Sequence, residues 1–203
     1  MMIPETILER LHEVFRSEGI ERNSEEELMQ QLRISEGEYR QLFANRADMV
    51  QKVVLHDLSL QEARDDERIR YAKNPVEKII LLLQHGIQDL KMVNPAFIID
   101  LQLHYPQVWE MVLQHLESYN HDLDLRIVNE GVVQGYFRKD INLQLVAKII
   151  IEQFNMVINP NIFPPERYNL GEVFRSVYLY YVRGLCTDKG AKLAEEYFAK
   201  NNI

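Results

Sequence analysis

The chain has 203 residues, with 23 lysines and arginines against 31 aspartates and glutamates and a net charge of -8 at neutral pH. That length suffices for a large core, either as one all-helical unit or as a small head on a bigger body, and the charge excludes generic adhesion to nucleic acid or anionic lipid. A single cysteine, Cys186, excludes an intrachain disulfide and fits a reducing compartment. The opening MMIPETILERLHEVF shows early acids and no basic-then-apolar signal pattern. The longest purely apolar run, Ile79 to Leu83, is far too short to cross a bilayer. The expectation is a cytoplasmic protein with no membrane partner.

Apolar residues recur at helical spacing almost throughout, and strand-like alternation is scarce. Ile7, Leu8, Leu11, Val14 and Phe15 share one face of a first helix, which Gly19 ends in the manner of a left-handed cap. Ser24 with Glu27 and Ser35 with Glu38 are Ser-x-x-Glu capping boxes, in which hydroxyl and carboxylate each satisfy an orphan amide at a helix start. Between them Leu28, Met29 and Leu32 face inward and Arg33-Ile34 make a tight turn, so three short helices fit within fifty residues. A fourth helix from Asn45, capped with Asp48, turns Met49, Val50, Val53, Val54 and Leu58 inward. Its charged second half reads as a connector or as a solvated helix end, and Asn74-Pro75 closes it.

Beyond it the pattern predicts helices over roughly Val76 to Met92, Pro95 to Leu103, Pro106 to Gly131, Leu143 to Val157, Leu170 to Leu185 and Lys189 to Lys200, with Pro and Gly at the joints. The Leu143 helix is apolar almost all round, and Val173, Phe174, Val177, Tyr178 and Tyr181 form a stripe on the Leu170 helix. Packing this pair on its own copy suits a two-fold contact. Val146, Ile150, Phe154, Phe174, Val177, Tyr178 and Tyr181 are therefore the expected dimer interface.

The stretch Ser35 to Met49, SEGEYRQLFANRADM, resembles the DNA-reading end of a TetR-type repressor. Val14-Phe15, Gly19, Ser24, Glu27, Leu28, Ile34, Ser35, Gly37, Tyr39, Phe43, Arg46 and Met49 occupy the family's places across Ile7 to Val54. The resemblance implies an all-α fold: a helix-turn-helix head over residues 1–58 and a helical effector-binding and dimerisation domain over 59–203. It implies a homodimeric DNA-binding regulator, probably a repressor by family habit, that meets an operator through Ser24, Ser35, Gly37, Glu38, Tyr39, Arg40, Gln41 and Arg46. Arg40 and Arg46 suit phosphate contact and Gln41 suits a base edge, while Tyr39 and Phe43 also read as core.

The departures from the family pattern are local. Arg33 stands at the turn glycine, Glu36 where lysine is frequent, Glu38 where threonine is, and Arg40 and Leu42 where tyrosines press on phosphates. Ile3 to Asp57 hold seven bases against twelve acids, a balance of -5, unfavourable for displacing counterions from a duplex. The alternative is a TetR-shaped dimer that binds a ligand or a protein and no longer reads an operator.

His85, Phe97, His104, Tyr105, Trp109, His115 and Tyr119 fall in segments that would line a body pocket for an unknown small-molecule effector, although aromatics at helical spacing are also ordinary core. The histidines lack metal-ligand spacing, so no metal is expected. No glycine-rich phosphate loop or Gly-x-Ser-x-Gly elbow occurs, and Cys186 has no base nearby in sequence. Neither a cofactor nor an enzyme is expected.

Overall fold

The computed structural model describes residues 3–201; the outermost residues of the two expected domains lie outside that range. The described chain is helical: α1 (Glu5–Glu18), α2 (Glu25–Leu32), α3 (Glu36–Leu42), α4 (Arg46–Ile69), α5 (Pro75–Met92), α6 (Pro95–His104), α7 (Pro106–His115), α8 (His121–Val133), α9 (Leu143–Val157), α10 (Leu170–Leu185) and α11 (Asp188–Asn201), with a π-helical turn at Leu116–Asn120 between α7 and α8. The extended pairing among the described residues is an isolated antiparallel bridge between Phe137 and Cys186. None of the described helices is long and apolar enough to cross a membrane.

The chain divides into two compact units, one of residues 3–62 with Met92–Gln114, the other of Ala63–Lys91 with residues 115–201. The head therefore ends four residues later than the sequence boundary at 58, and it gains α6 and α7. The reason is apolar. Leu101, Tyr105 and Val108 are buried in the same core as Leu11, Phe15, Leu28, Tyr39, Phe43 and Val53, so the three short helices and the start of α4 are completed by a face that lies fifty residues downstream.

Local chemistry sets the head's helix ends. At both capping boxes the serine amide donates to the glutamate, at 2.7 Å for Ser24 to Glu27 and 2.8 Å for Ser35 to Glu38, and the serine hydroxyl accepts in return from the glutamate's amide. Asn45 and Asp48 do the same for α4, with Asn45 Oδ1 accepting from Asp48 N and Asp48 Oδ2 from Ala44 N. Gly19 has φ 92° and ψ 170°, so it is not the left-handed helical cap expected from sequence. Its positive φ carries an extended ψ, and a Cβ there would stand 2.9 Å from Ala96 Cβ on α6. Asp100 of α6 fixes the same corner by accepting from Ile20 N at 2.7 Å and Glu21 N at 3.0 Å.

Arg33 is left-handed at φ 57° and ψ 43°. This matches the sequence expectation that a non-glycine residue holds that conformation. Its side chain is exposed. Arg33→Gly is therefore expected to stabilise the protein by about 1 kcal/mol, raising the melting temperature by roughly 2–4 °C in a chain of this size; an unchanged melt would show the turn to be unstrained.

In the body α8 packs along α9, and α9 along α10, around Ile80, Leu83, Ile127, Val128, Phe137, Phe174 and Val182. The single helix read from Pro106 to Gly131 runs to Val133 and includes the π turn. Helical backbone angles at His115 and Asn120 show that the run does not break there. Gly131 admits the ring of Phe137, whose Cδ2 would lie 2.0 Å from an added Cβ. The Phe137–Cys186 bridge is supported by Arg138 N donating to Leu185 O and Thr187 N donating to Tyr136 O, each at 2.9 Å.

Candidate functional site

α3 is too short to hold itself together, and its neighbours fix it from inside. Tyr39 is fully buried, edge-on to Phe43 with ring centroids 5.3 Å apart, and its hydroxyl points at Met49 Sδ at 3.3 Å. Burial first, and the Glu25 carboxylate second, push the Tyr39 phenol up to about 12. Lys52 on α4 donates to Leu42 O at 3.0 Å and thereby closes the C-terminal end of α3 while pairing with Asp48 at 2.7 Å. Tyr39 is thus a strut beneath the helix, and the expectation that it touches DNA is corrected.

On the outer side Glu36, Gly37, Glu38, Arg40 and Gln41 are exposed. Arg40 is half exposed, 3.0 Å from Glu25 and 3.9 Å from Glu36, with its guanidinium 5.5 Å from the Tyr39 ring centroid. Glu38 and Ser35 are engaged in capping, as are Glu27 and Ser24. The amide and hydroxyl of the paired serine hold the Glu38 carboxyl below the ordinary carboxylate range.

Arg46 takes another course. Its Nη2 donates to Ile20 O at 2.5 Å and Asn23 O at 2.7 Å, and its Nε faces Tyr105 Oη at 3.1 Å and Glu21 Oε1 at 3.4 Å. Tyr105 in turn donates to Glu21 Oε1 at 2.6 Å. Burial works to raise the Glu21 carboxyl, but the Tyr105 hydrogen bond and the Arg46 charge outweigh it and leave it below its ordinary value. The phosphate-contact expectation for Arg46 is corrected: the α1–α2 loop ends in carbonyls that need donors, and the guanidinium at the start of α4 supplies them.

The aromatic and histidine residues expected to line one pocket are divided between the units. Tyr105 belongs to the head network just described, Phe97 and Trp109 pack against the head core, and His104 is exposed. His85, His115 and Tyr119 lie in the body, where the last two rings stack with centroids 5.4 Å apart. Burial first, then the Arg68 charge, lowers the His85 imidazole. The pocket expectation for Phe97, Tyr105 and Trp109 is corrected, since a downstream position in sequence did not mean membership of the downstream core.

The expected dimer stripe is divided too. Val146, Phe174 and Tyr178 are buried within the protomer; the Phe174 and Tyr178 rings stack at 4.2 Å, and the Tyr178 hydroxyl donates to Ile150 O at 2.6 Å. These three are corrected from contact to core. Ile150, Phe154, Val177 and Tyr181 are partly buried, while Leu145 and Tyr180 on the same helices are 56% and 68% exposed.

Sequence reasoning passed over a group of buried polar atoms in the body. The Asp124 carboxyl on α8 is enclosed, and burial first and the Asp65 charge second push it up to about 7. Asp65 is 5% exposed and pairs with Arg68 at 3.1 Å. Asn120 Oδ1 and Gln153 Oε1 are buried without a hydrogen-bond partner. The available signal was an acid inside LDLRIV, one helical turn beyond Asn120 and flanked by core positions.

A family model for the C-terminal region of YsiA-like proteins, a TetR-type domain, matches residues 59–184. The chain belongs to the TetR family of transcriptional regulators. Solved TetR-like structures match it over nearly their whole length. The fatty-acid regulator FadR of Bacillus subtilis, in complex with stearoyl-CoA, has 18% identity and a TM-score of 0.66, with 89% of this chain and 98% of that one covered. A putative regulator of Saccharomonospora viridis in complex with choline has 12% identity and a TM-score of 0.71, with 90% and 97% covered. The ketosteroid regulator KstR2 of Mycobacterium tuberculosis has 17% identity and a TM-score of 0.61, with 91% and 95% covered. A sequence comparison with curated proteins finds no match. At these identities the structural likeness of this TetR-family chain to its solved relatives is one of fold.

Proposed function

We propose that the chain is a homodimeric DNA-binding transcriptional repressor whose operator affinity is set by a small molecule held in the body. The observation that carries this reading is the head itself. Two capping boxes and a left-handed residue at the turn hold α3 against α2, with Gly37, Arg40 and Gln41 outward and Tyr39 inward, the disposition by which a helix-turn-helix offers one helix to the major groove. Leu145 and Tyr180 supply the apolar area for a second copy, with Ile150, Phe154, Val177 and Tyr181 at its margin. The complexes of the solved relatives with stearoyl-CoA and choline support a ligand in the body. Release requires that the ligand bind the two head spacings with different affinity, because equal affinity shifts no population.

Arg40 is the phosphate contact in this reading, and the contact costs it the Glu25 pair. Arg40→Ala is expected to weaken duplex binding about tenfold and to lessen the salt slope by about 0.9, whereas Glu25→Gln, which frees the guanidinium, strengthens binding. Fluorescence anisotropy on a duplex selected from genomic fragments, at low and moderate salt, measures both. A second reading follows from the same ion pair: a head that keeps its outward arginine neutralised recognises a protein or nothing at all. Sequence-blind, weak binding at low salt, unmoved by either substitution, would establish it.

A further inference from the structure

The body holds a carboxyl group with no cation beside it. Among the described residues no hydrogen-bond donor reaches Asp124, and the nearest charge acting on it is another carboxylate, Asp65, which Arg68 already neutralises. Enclosing an unpaired carboxylate costs several kcal/mol unless it is protonated or given a partner. The neighbourhood offers no relief from within, because its other unsatisfied atoms are acceptors as well. Asn120 Oδ1 lies one helical turn before Asp124, on the same side of the helix, and Gln153 Oε1 lies on α9, along which α8 packs. Tyr178, the residue whose charge interacts with Asp124, has spent its hydroxyl proton on Ile150 O and stacks its ring on Phe174. Asn120 also closes the π-helical turn, an irregularity that is frequent at functional sites because it redirects side chains.

Carboxylate, amide oxygens and aromatic rings together make a surface that wants donors and positive charge and repels an anion. We propose that the body binds an organic cation, a protonated amine or a quaternary ammonium, with its charged nitrogen at Asp124 and its donors or methyl groups toward Asn120, Gln153 and the Tyr178–Phe174 rings. The proposal rests on the reading of the body as a small-molecule domain and deepens it by naming the ligand's chemical class. An anionic ligand would bring its charge to the wrong place, and a neutral apolar one would leave the same three groups unsatisfied.

The test uses three molecules on one carbon skeleton, cyclohexylamine, cyclohexanol and cyclohexanecarboxylate, titrated into the full-length protein by calorimetry at pH 7.5 and followed by thermal melts. The amine is protonated there, as a lysine side chain is. The expected result is that the amine binds at least ten times more tightly than the alcohol, that the carboxylate does not bind, and that Asp124→Asn removes the advantage of the amine. Asp124→Asn keeps the size and shape of the side chain; its own unliganded melt reports whether it folds, and Asn120→Leu provides a second variant that should weaken the amine without touching the charge. Equal or tighter binding of the alcohol or the carboxylate, no binding of any of the three, or amine binding that survives Asp124→Asn overturns the proposal. Amine binding that leaves duplex affinity unchanged supports the cation site and overturns only its role as the signal.

Discussion

Arg46→Ala is expected to lower stability by about 3 kcal/mol, one of the two largest effects anticipated for this chain. The guanidinium closes two loop carbonyls, at 2.5 and 2.7 Å, and lies against Glu21 and Tyr105. Hydrogen bonds to a charged group contribute roughly 1.5–3 kcal/mol each when enclosed. The side chain is 23% exposed, so solvent screening reduces the sum to the value given. In a chain of this length that corresponds to a fall of about 6–12 °C in melting temperature. Arg46→Lys recovers little, since one ammonium cannot span both carbonyls and the carboxylate in a fixed plane. Urea unfolding and duplex titration together decide what the residue does. A phosphate contact would weaken DNA binding and its salt dependence while stability held; the internal network predicts the reverse order, with stability falling first.

The second large effect is a dependence on pH. The Asp124 carboxyl moves from its ordinary value of 3.8 to about 7 because burial, then Asp65, disfavour its charged form. A folded protein that holds this proton when the unfolded chain has released it gains stability from it, fully below about pH 4 and progressively less as pH rises through 7. That displacement corresponds to at most about 4 kcal/mol. Asp124→Asn, always neutral, is therefore expected to match the parent at pH 4 and to exceed it at pH 8, in the absence of any bound cation. Comparing the two proteins isolates this residue from carboxylates such as Glu21 and Asp48, whose lowered values tilt stability the other way. Parallel stability curves from pH 4 to pH 8 would show that Asp124 is solvated and ordinarily acidic.

Local patterns were legible where the chemistry is local. Ser24 with Glu27 and Ser35 with Glu38 satisfy amides three residues away, so the spacing alone identified two helix starts. Asn94-Pro95, Tyr105-Pro106 and the capping asparagines marked joints for the same reason, and the TetR-type head followed from side chains in a fixed short order. What escaped was every assignment that depends on distant packing. Leu101, Tyr105 and Val108 carry no mark saying which core they complete, and Arg46 reads equally as an outward cation or as a donor to a loop that it meets only after folding. Val146, Phe174 and Tyr178 share helices with Leu145 and Tyr180, and apolar spacing cannot tell a face covered by the chain itself from one left open. Asp124 looked like one of many surface acids because burial belongs to the fold and has no symbol in the sequence.

A polyanion drawing near a protein ordinarily softens the repulsion it meets by pulling protons onto the carboxylates it faces. Glu27 and Glu38 resist this adjustment. Each is held below the ordinary carboxylate range by the amide of the serine it caps, and next by that serine's hydroxyl, so protonating either one would also unfasten a helix. The acidity at the front of the head is thus of fixed valence, like the charge on an ion-exchange resin, and a partner surface must meet it as it stands.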